Sequence, residues 1–182
     1  MNQYVNRDRW KGADVDWTIV VEDIGPKLFR YFSAVVPQTL ASDLVQETLL
    51  RLVQKYENGQ YKPEKGSLRM FAFGIARFVR LEALKALPKE DYFSDPSEYE
   101  WQIGQSNIEE HTKINERKSL RNAIALLNEP QKEIILLLVD KDLPLQEIGE
   151  ILNMPSGTVK SHVHRAKAKL KEILNQGGNA HE

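Results

Sequence analysis

The chain has 182 residues, 25 Lys and Arg against 26 Asp and Glu, and 41% hydrophobic residues, enough for one ordinary domain or two small ones. It contains no cysteine, which excludes disulfides and zinc–thiolate sites and suits a reducing cytoplasm. No apolar run of about 18 residues is present to cross a membrane, and the opening MNQYVNRDRWKGADVDW lacks the apolar centre of a secretory signal.

The formal net charge of −1 is an average over blocks of opposite sign. Residues 61–87 carry six Lys or Arg (Lys62, Lys65, Arg69, Arg77, Arg80 and Lys85) against Glu64 and Glu82, a net of +4. Residues 155–175 carry five against Glu172, again +4. Between them, residues 88–112 carry Lys89 against seven acids, a net of −6. The total argues poorly for a nucleic-acid partner; two basic blocks parted by an acidic spacer do not.

Apolar spacing and punctuation predict helices throughout, and no segment shows sustained β alternation. In chain order, a first helix is expected over about residues 16–24, stopped by Gly25-Pro26, and a second over about 26–36, stopped by Pro37. Ser42 is placed to cap a third, which ends in the turn ENGQYKPEKG. Ser67 is placed to cap a long fourth helix that Pro88 ends. Leu68, Phe71, Ala72, Ile75, Phe78, Val79 and Ala83 mark its buried side, while Arg69, Phe73, Arg77 and Arg80 fall on another. Residues 88–112, PKEDYFSDPSEYEWQIGQSNIEEHT, have the acids, prolines and aperiodicity of a linker. A second helical set begins over about 113–127, followed by a helix opened by NEPQ. There Asn128 is placed to cap, Pro130 sits in the first turn, and Gln131 suits a capping box. Two more helices lie in LPLQEIGEILNMPSGTVKSHVHRAKAKLKEIL (143–174), and NQGGNAHE is expected to fray. The predicted architecture is all-α: an N-terminal extension (1–17), a helical domain (18–87), an acidic linker (88–112), a second helical domain (113–176) and a tail (177–182).

The closing pair carries the chemistry. Its first helix sets Leu145, Ile148, Ile151 and Leu152 on one side. In its second, Val159, Val163, Ala166, Leu170 and Ile173 follow at spacings of 4, 3, 4 and 3, one narrow apolar stripe. Centred opposite are Ser161, Arg165 and Ala168, flanked by Thr158, Lys160 and His164, a basic, hydrogen-bonding face. Ser156 is placed to cap this helix, leaving its first amides ready for a phosphate. A helix in the DNA major groove needs donors for base edges, cations for the backbone, and a partner helix to hold its angle; that is helix-turn-helix logic. A solvated helix pair in an ordinary bundle, with lysines for solubility, is the alternative that the spacing leaves open.

The wording is more specific than the spacing. This stretch resembles the −35-reading domain, region 4, of bacterial sigma factors of the extracytoplasmic-function group, group 4 of the sigma-70 family. SGTVKSHVHRAKAKL is similar to that family's GTVKSRLHRA style of recognition helix. Upstream, ALLNEPQKEIILLLVDKDLPLQEIGEIL resembles the preceding helices, with Asn128-Glu129-Pro130 where an LP opening is usual. The resemblance implies −35 contacts from Thr158, Lys160, Ser161, His162, His164, Arg165 and Lys169.

The first half resembles the same family. SDLVQETLLRLVQKY (42–56) is similar to region 2.2, usually EDLVQEVFLRLW. Asp43, Gln46, Glu47 and Gln54 share one polar face; the resemblance implies that this face, with Arg51, docks on the coiled coil of the polymerase β′ subunit, region 4 meeting the β flap. KGSLRMFAFGIARFVRLEALKAL (65–87) resembles regions 2.3 and 2.4, usually GSFRAWLLRIARN, which implies opening and capture of the −10 element. Arg69, Phe73, Arg77 and Arg80 suit a strand drawn from a duplex, since cations follow phosphates while a ring stacks a base. Tyr61 and Lys65 lie in or beside the loop where the resemblance places a flipped −10 base, which needs a pocket to replace its stacking and pairing. Two departures stand out: FAF where many relatives have WLY, and Phe78 where Asn is common after IAR.

The resemblance further implies core RNA polymerase and promoter DNA as partners, an anti-sigma factor as a regulator, and neither cofactor nor membrane insertion. It implies that the linker threads the polymerase cleft toward the RNA exit channel, with Tyr92, Phe93, Tyr99 and Trp101 as anchors. Where many relatives carry DAED, this chain has LASD (40–43). Phosphate placed by a Ser/Thr kinase on Thr39, Ser42 or Thr48 would restore roughly −1.5 to −2 charges. An enzyme finds little support: there is no Gly-rich phosphate loop, nucleophile elbow or metal-ligand cluster, and His162 and His164 diverge on a helix. A stand-alone helix-turn-helix regulator is the remaining alternative. It predicts a dimer that binds duplex DNA unaided, whereas a sigma factor is a monomer that binds promoters only as holoenzyme.

Overall fold

The computed structural model describes residues 15–86 and 118–178. The first half comprises α1 (Trp17–Ser33), α2 (Gln38–Glu57), a 3-10 turn (Pro63–Lys65) and α3 (Leu68–Ala86). The second comprises α4, described over 118–125, then α5 (Glu129–Leu137), α6 (Leu145–Leu152) and α7 (Ser156–Gly178). Among the described residues there is no strand, and no helix is long and apolar enough to cross a membrane. The acidic linker and its four aromatic anchors lie outside the described residues.

α1 corrects the expectation of two helices broken at Gly25-Pro26. The helix runs through both residues, capped by Asp16, whose carboxylate accepts from the Thr18 and Ile19 amides at 3.0 and 3.4 Å. Val20, Ile24, Leu28, Tyr31 and Phe32 are buried in an unbroken stripe across the proline. Each such side chain contributes about 1.5–3 kcal/mol on burial, so the stripe outweighs the roughly 3 kcal/mol that an interior proline costs.

α2 also starts earlier than predicted. Its cap position is Pro37, and Ser42 lies in its second turn, donating from its hydroxyl to the Gln38 carbonyl at 3.2 Å. Ser42 is therefore not the cap; a proline just outside the helix supplies the extended backbone from which the first turn starts. Ser67 and Asn128 do cap as predicted: the Ser67 Oγ accepts from the Met70 amide at 3.0 Å, and the Asn128 Oδ1 from the Gln131 amide at 3.1 Å. The reciprocal half of the Asn128 capping box is not made, and the Gln131 Oε1 is buried without a hydrogen-bond partner.

α3 is buried on two sides. One side, with Leu68, Ala72, Ile75 and Val79, packs into the α1–α2 bundle as predicted. Phe73 and Ala76 are also buried, and so are the charged Arg69 and Arg80. Phe78, expected inside, is 61% exposed instead. The second half packs against this second side: α6 lies along α3, and α5 supplies the Glu133 carboxylate to Arg77 and Arg80. Buried residues of both halves, from Val20 to Val159, form one apolar cluster.

Candidate nucleic-acid interface

The helix-turn-helix unit is set by its turn. Asn153 ends α6 in the left-handed region at φ 53°, which asparagine tolerates better than most residues. The Met154 amide donates back to the Gly149 carbonyl at 2.8 Å. A Cβ on Gly149 would stand 2.5 Å from the Met154 carbonyl oxygen, closer than side chains tolerate, so the chain can reverse this tightly only over a glycine. The apolar pattern shows that α6 and α7 pair; Gly149 and Asn153 set how closely, and neither was singled out from the sequence. An isolated glycine inside a short helical pattern was the available signal.

α7 begins at Ser156, so that serine is its first helical residue rather than its cap, and the Pro155 carbonyl accepts from the Val159 amide. Val159 and Ala166 are fully buried, and Val163 and Leu170 pack against the core. Thr158, Lys160, Ser161, His164, Arg165 and Lys169 are all exposed, on the face predicted for them. His162 departs from the group: it is half-buried, and its Nδ1 is enclosed without a partner. The Ser161 hydroxyl donates to the Gly157 carbonyl at 3.0 Å and the Arg165 Nε to the Ser161 carbonyl at 3.4 Å, which draws both side chains along the helix axis.

The second set of candidate DNA contacts is placed otherwise. Phe73 is fully buried, edge-on to Tyr31 at 5.8 Å, so it is a core residue and cannot stack a base; α3 presents its 73–80 side to the protein interior and not to solvent. Arg80 is 2% exposed, bonded to the Tyr31 hydroxyl through Nε at 2.9 Å and to the Glu133 carboxylate through a second guanidinium nitrogen. Burial works against its charge, but Tyr31 and Glu133 offset this and hold its pKa above the ordinary arginine value. Burial in turn pushes the Tyr31 phenol up to about 12. Arg77 donates to the other oxygen of Glu133 at 2.8 Å.

Arg69 is likewise enclosed among carboxylates. It donates to Asp23 at 2.7 Å and stands 3.3 Å from Asp140 and 3.6 Å from Asp142. The Arg69–Asp140 pair is ionic only, because its geometry falls short of a hydrogen bond. Desolvation raises the pKa of Asp23, but hydrogen bonds from Lys27 and Arg69 outweigh it and leave this carboxyl below its usual range. Arg69, Arg77 and Arg80 thus converge on one side of α3, as the sequence predicts, but they face protein carboxylates rather than solvent.

Tyr61 and Lys65 lie in the 58–66 loop. Lys65 is exposed; Tyr61 is half-buried, stacked on Tyr56 at 5.6 Å and tilted against Phe71 at 5.6 Å. The Tyr61 hydroxyl donates to the Gly66 carbonyl at 3.3 Å. Beside this loop lies an open groove of about 610 Å³, walled by Tyr61, Pro63 and Met70 on one side and by Pro144, Glu147 and Glu150 on the other. Glu147 accepts from the Ser67 amide at 3.3 Å and from its hydroxyl at 2.8 Å, occupying the N-terminus of α3 as a phosphate would.

On α2, Asp43, Gln46 and Gln54 are exposed on one face, as predicted, and Leu50, missed in the sequence, stands among them at 55% exposure. Glu47 and Arg51 belong to a surface network: Arg51 donates to Glu47 at 2.6 Å and to Glu82 of α3 at 2.7 Å. Thr39 and Ser42 are exposed. Thr48 is fully buried, its hydroxyl donating to the Leu44 carbonyl at 2.7 Å, so it is corrected from modification candidate to core residue: no kinase reaches it in this fold.

Comparison with known proteins agrees with this arrangement. The family model described as Sigma-70 region 2 matches residues 20–88, and that described as Sigma-70, region 4 matches residues 117–170. The ECF RNA polymerase sigma factor SigM of Bacillus subtilis (strain 168) is 26% identical over 144 residues, 77% of this chain and 83% of that protein. The RNA polymerase sigma-E factor of Streptomyces antibioticus is 26% identical over 166 residues, 90% of this chain and 87% of its own length. Among solved structures, the sigma factor RpoE in complex with the anti-sigma factor NepR from Bartonella quintana superposes with a TM-score of 0.62 at 21% identity, covering 88% of this chain and 97% of that one. That likeness speaks for the fold, and the two family models in their order along the chain speak for the family: the chain belongs to the sigma-70 family, as a sigma factor of the extracytoplasmic-function group.

Proposed function

We propose that this protein is an alternative sigma factor that binds core RNA polymerase, reads a −35 element through α7 and engages the −10 element with the first half. In this reading residues 18–87 are the region 2 unit and residues 113–176 the region 4 unit. The observation that carries it is a pair of exposed faces on one chain: the basic outer face of α7, braced by the Gly149 turn, and the Asp43–Gln46–Leu50–Gln54 face of α2. Thr158, Lys160, Ser161, His164, Arg165 and Lys169 reach bases and phosphates, and the α2 face docks on polymerase. The −10 contacts are Tyr61 and Lys65 of the 58–66 loop, while Phe73 is core and Arg69, Arg77 and Arg80 are held by protein carboxylates.

An anti-sigma factor is a partner of the same reading, supported by the similar fold of RpoE, which was solved with its anti-sigma factor NepR. So is control by phosphorylation at Thr39 or Ser42, whose side chains are exposed beside the docking face. Thr39 lies in the first turn of α2, where the helix dipole favours an added phosphate; Ser42 lies one turn further in, where that benefit has faded.

Gel filtration and promoter binding, with and without core polymerase, test the reading. A monomer that binds a promoter only as holoenzyme supports it. A dimer that binds duplex tightly by itself sinks it in favour of a stand-alone regulator.

A further inference from the structure

α3 keeps one side open. Phe71, Gly74, Phe78, Leu81 and Lys85 follow at spacings of 3, 4, 3 and 4, a stripe that lies opposite the buried arc of the helix. Phe78 stands on this stripe at 61% exposure, and among the described residues its ring meets no other ring. One turn before it, Gly74 has nothing within 4 Å of an added Cβ. Glycine weakens a helix interior, so a glycine that the protein's own packing does not require points to a contact made from outside. The stripe continues the 58–66 loop, because Phe71 is tilted against Tyr61 at 5.6 Å and Tyr61 is stacked on Tyr56 at 5.6 Å. Exposed lysines stand at both ends: Lys62 and Lys65 in the loop, with Glu64 between them, and Lys85 in the last turn of α3. Among the described residues none of the three lysines is ion-paired. Glu82, at the edge of the stripe, is engaged by Arg51 at 2.7 Å.

A free ring beside a bare helix floor, with cations at either end of the path, has the chemistry of a single-strand track: lysines follow phosphates and the ring stacks a base. We propose that Phe78 stacks one unpaired base of the −10 strand over Gly74 and holds it whatever its identity. The −10 element of this chain is then fixed by the 58–66 loop and degenerate at the position that Phe78 takes. This role rests on the −10 assignment above. Every base has a face to stack, but an edge is read by hydrogen-bonding groups, and from Phe71 to Leu81 the stripe offers no such side chain. The asparagine common at the Phe78 position in relatives can pair with a base edge; the phenyl ring exchanges that reading for stacking.

The test uses holoenzyme assembled from core polymerase and the full chain, on a fork cut from a promoter that it transcribes, with the −10 segment unpaired in one strand. Abasic sites are placed one at a time along that segment, and affinity is measured for the parent and for Phe78→Ala. One position is expected where removing the base weakens the parent about 5- to 150-fold, the range of one base–ring stack, while the four natural bases bind alike. Phe78→Ala should show that loss on the intact strand and lose nothing further when the same base is removed. Phe78→Tyr, which keeps the ring, should restore the coupling. Losses that add at every position, or a coupled position that prefers one base, overturn the stack.

Phe78 is exposed, so alanine there is expected to leave the melting curve in place. If the curve shifts, Gly74→Leu replaces it, because it fills the floor from a position with free space. The same abasic position must then fall silent, and an abasic profile like the parent's overturns the role of Phe78. A parent chain that gives core polymerase no affinity for the fork contradicts the sigma reading, and the stack falls with it. A parent that gives that affinity, with Phe78→Ala indistinguishable from it, overturns the stack alone.

Discussion

Two glycines inside helices are expected to respond to the same substitution with opposite sign. Gly74 lies in α3 with nothing within 4 Å of an added Cβ, so Gly74→Ala gains only the helix preference of alanine, about 0.5–1 kcal/mol of stability. Gly149→Ala gains the same preference but drives a methyl to 2.5 Å from the Met154 carbonyl oxygen. That atom belongs to a backbone fixed by the Met154–Gly149 hydrogen bond and by Asn153, so it cannot rotate away as a side-chain end would. Overpacking of this kind costs about 1–3 kcal/mol, which leaves a net loss of roughly 0–2 kcal/mol. Relief by moving the turn re-aims α7, so −35-dependent transcription should fall much further than stability does. Thermal melts of both variants, with run-off transcription from a promoter bearing an intact or scrambled −35 element, check this. A Gly149→Ala protein that melts above the parent and still discriminates the two promoters would refute the argument that close approach sets the reading angle.

Arg165→Ala should relax discrimination at one or two −35 positions by about 1–3 kcal/mol, whereas Lys160→Ala should weaken all sequences alike and flatten the salt dependence; a panel of −35 variants read at two salt concentrations separates them. Replacing both Asp43 and Gln46 by alanine should leave the helical melting curve in place while abolishing co-purification with core polymerase, and a matching loss of thermal stability would make the face structural. The Tyr31 phenol, raised from 10.0 to about 12, supports folding fully below pH 10 and loses that contribution, on the order of 2–3 kcal/mol, as pH climbs to 12; denaturant titrations should show this extra alkaline slope in the parent and not in Tyr31→Phe. Thr39→Glu should raise promoter activity in unstimulated cells more than Ser42→Glu, with the alanine versions of each as baseline; indifference of all four removes phosphorylation from the account.

What the sequence made legible and what it did not divide along physical lines. Helix caps with a local signature, Ser67 and Asn128, were readable because donor and acceptor lie three residues apart. So was the α7 face, whose 4-3-4-3 stripe permits one orientation. Pro26 points the wrong way because local propensity takes no account of the five buried side chains that carry α1 across it. The α3 arginines misled differently. A helical wheel showed that Arg69, Phe73, Arg77 and Arg80 share a side, which is correct, but a wheel cannot say whether that side meets solvent or another part of the chain. Glu133 lies 53 residues from Arg80, and Asp140 lies further still from its partner Arg69, so nothing local pairs them. Phe78 reads as core on the wheel and emerges exposed, beyond the edge of a buried arc that runs from Ile75 and Val79 round to Arg69 and Arg80.

The function proposed for this chain is to give core RNA polymerase its choice of promoter. The most direct measurement is transcription of a genomic DNA library by core polymerase, with and without the purified chain, with every RNA 5′ end mapped. New start sites are expected that appear only with the chain and share two upstream elements at one fixed spacing. Arg165→Ala is expected to lose the preference in the distal element and keep that in the proximal one. Start sites that are unchanged by the chain, or new ones with no common element upstream, would contradict it.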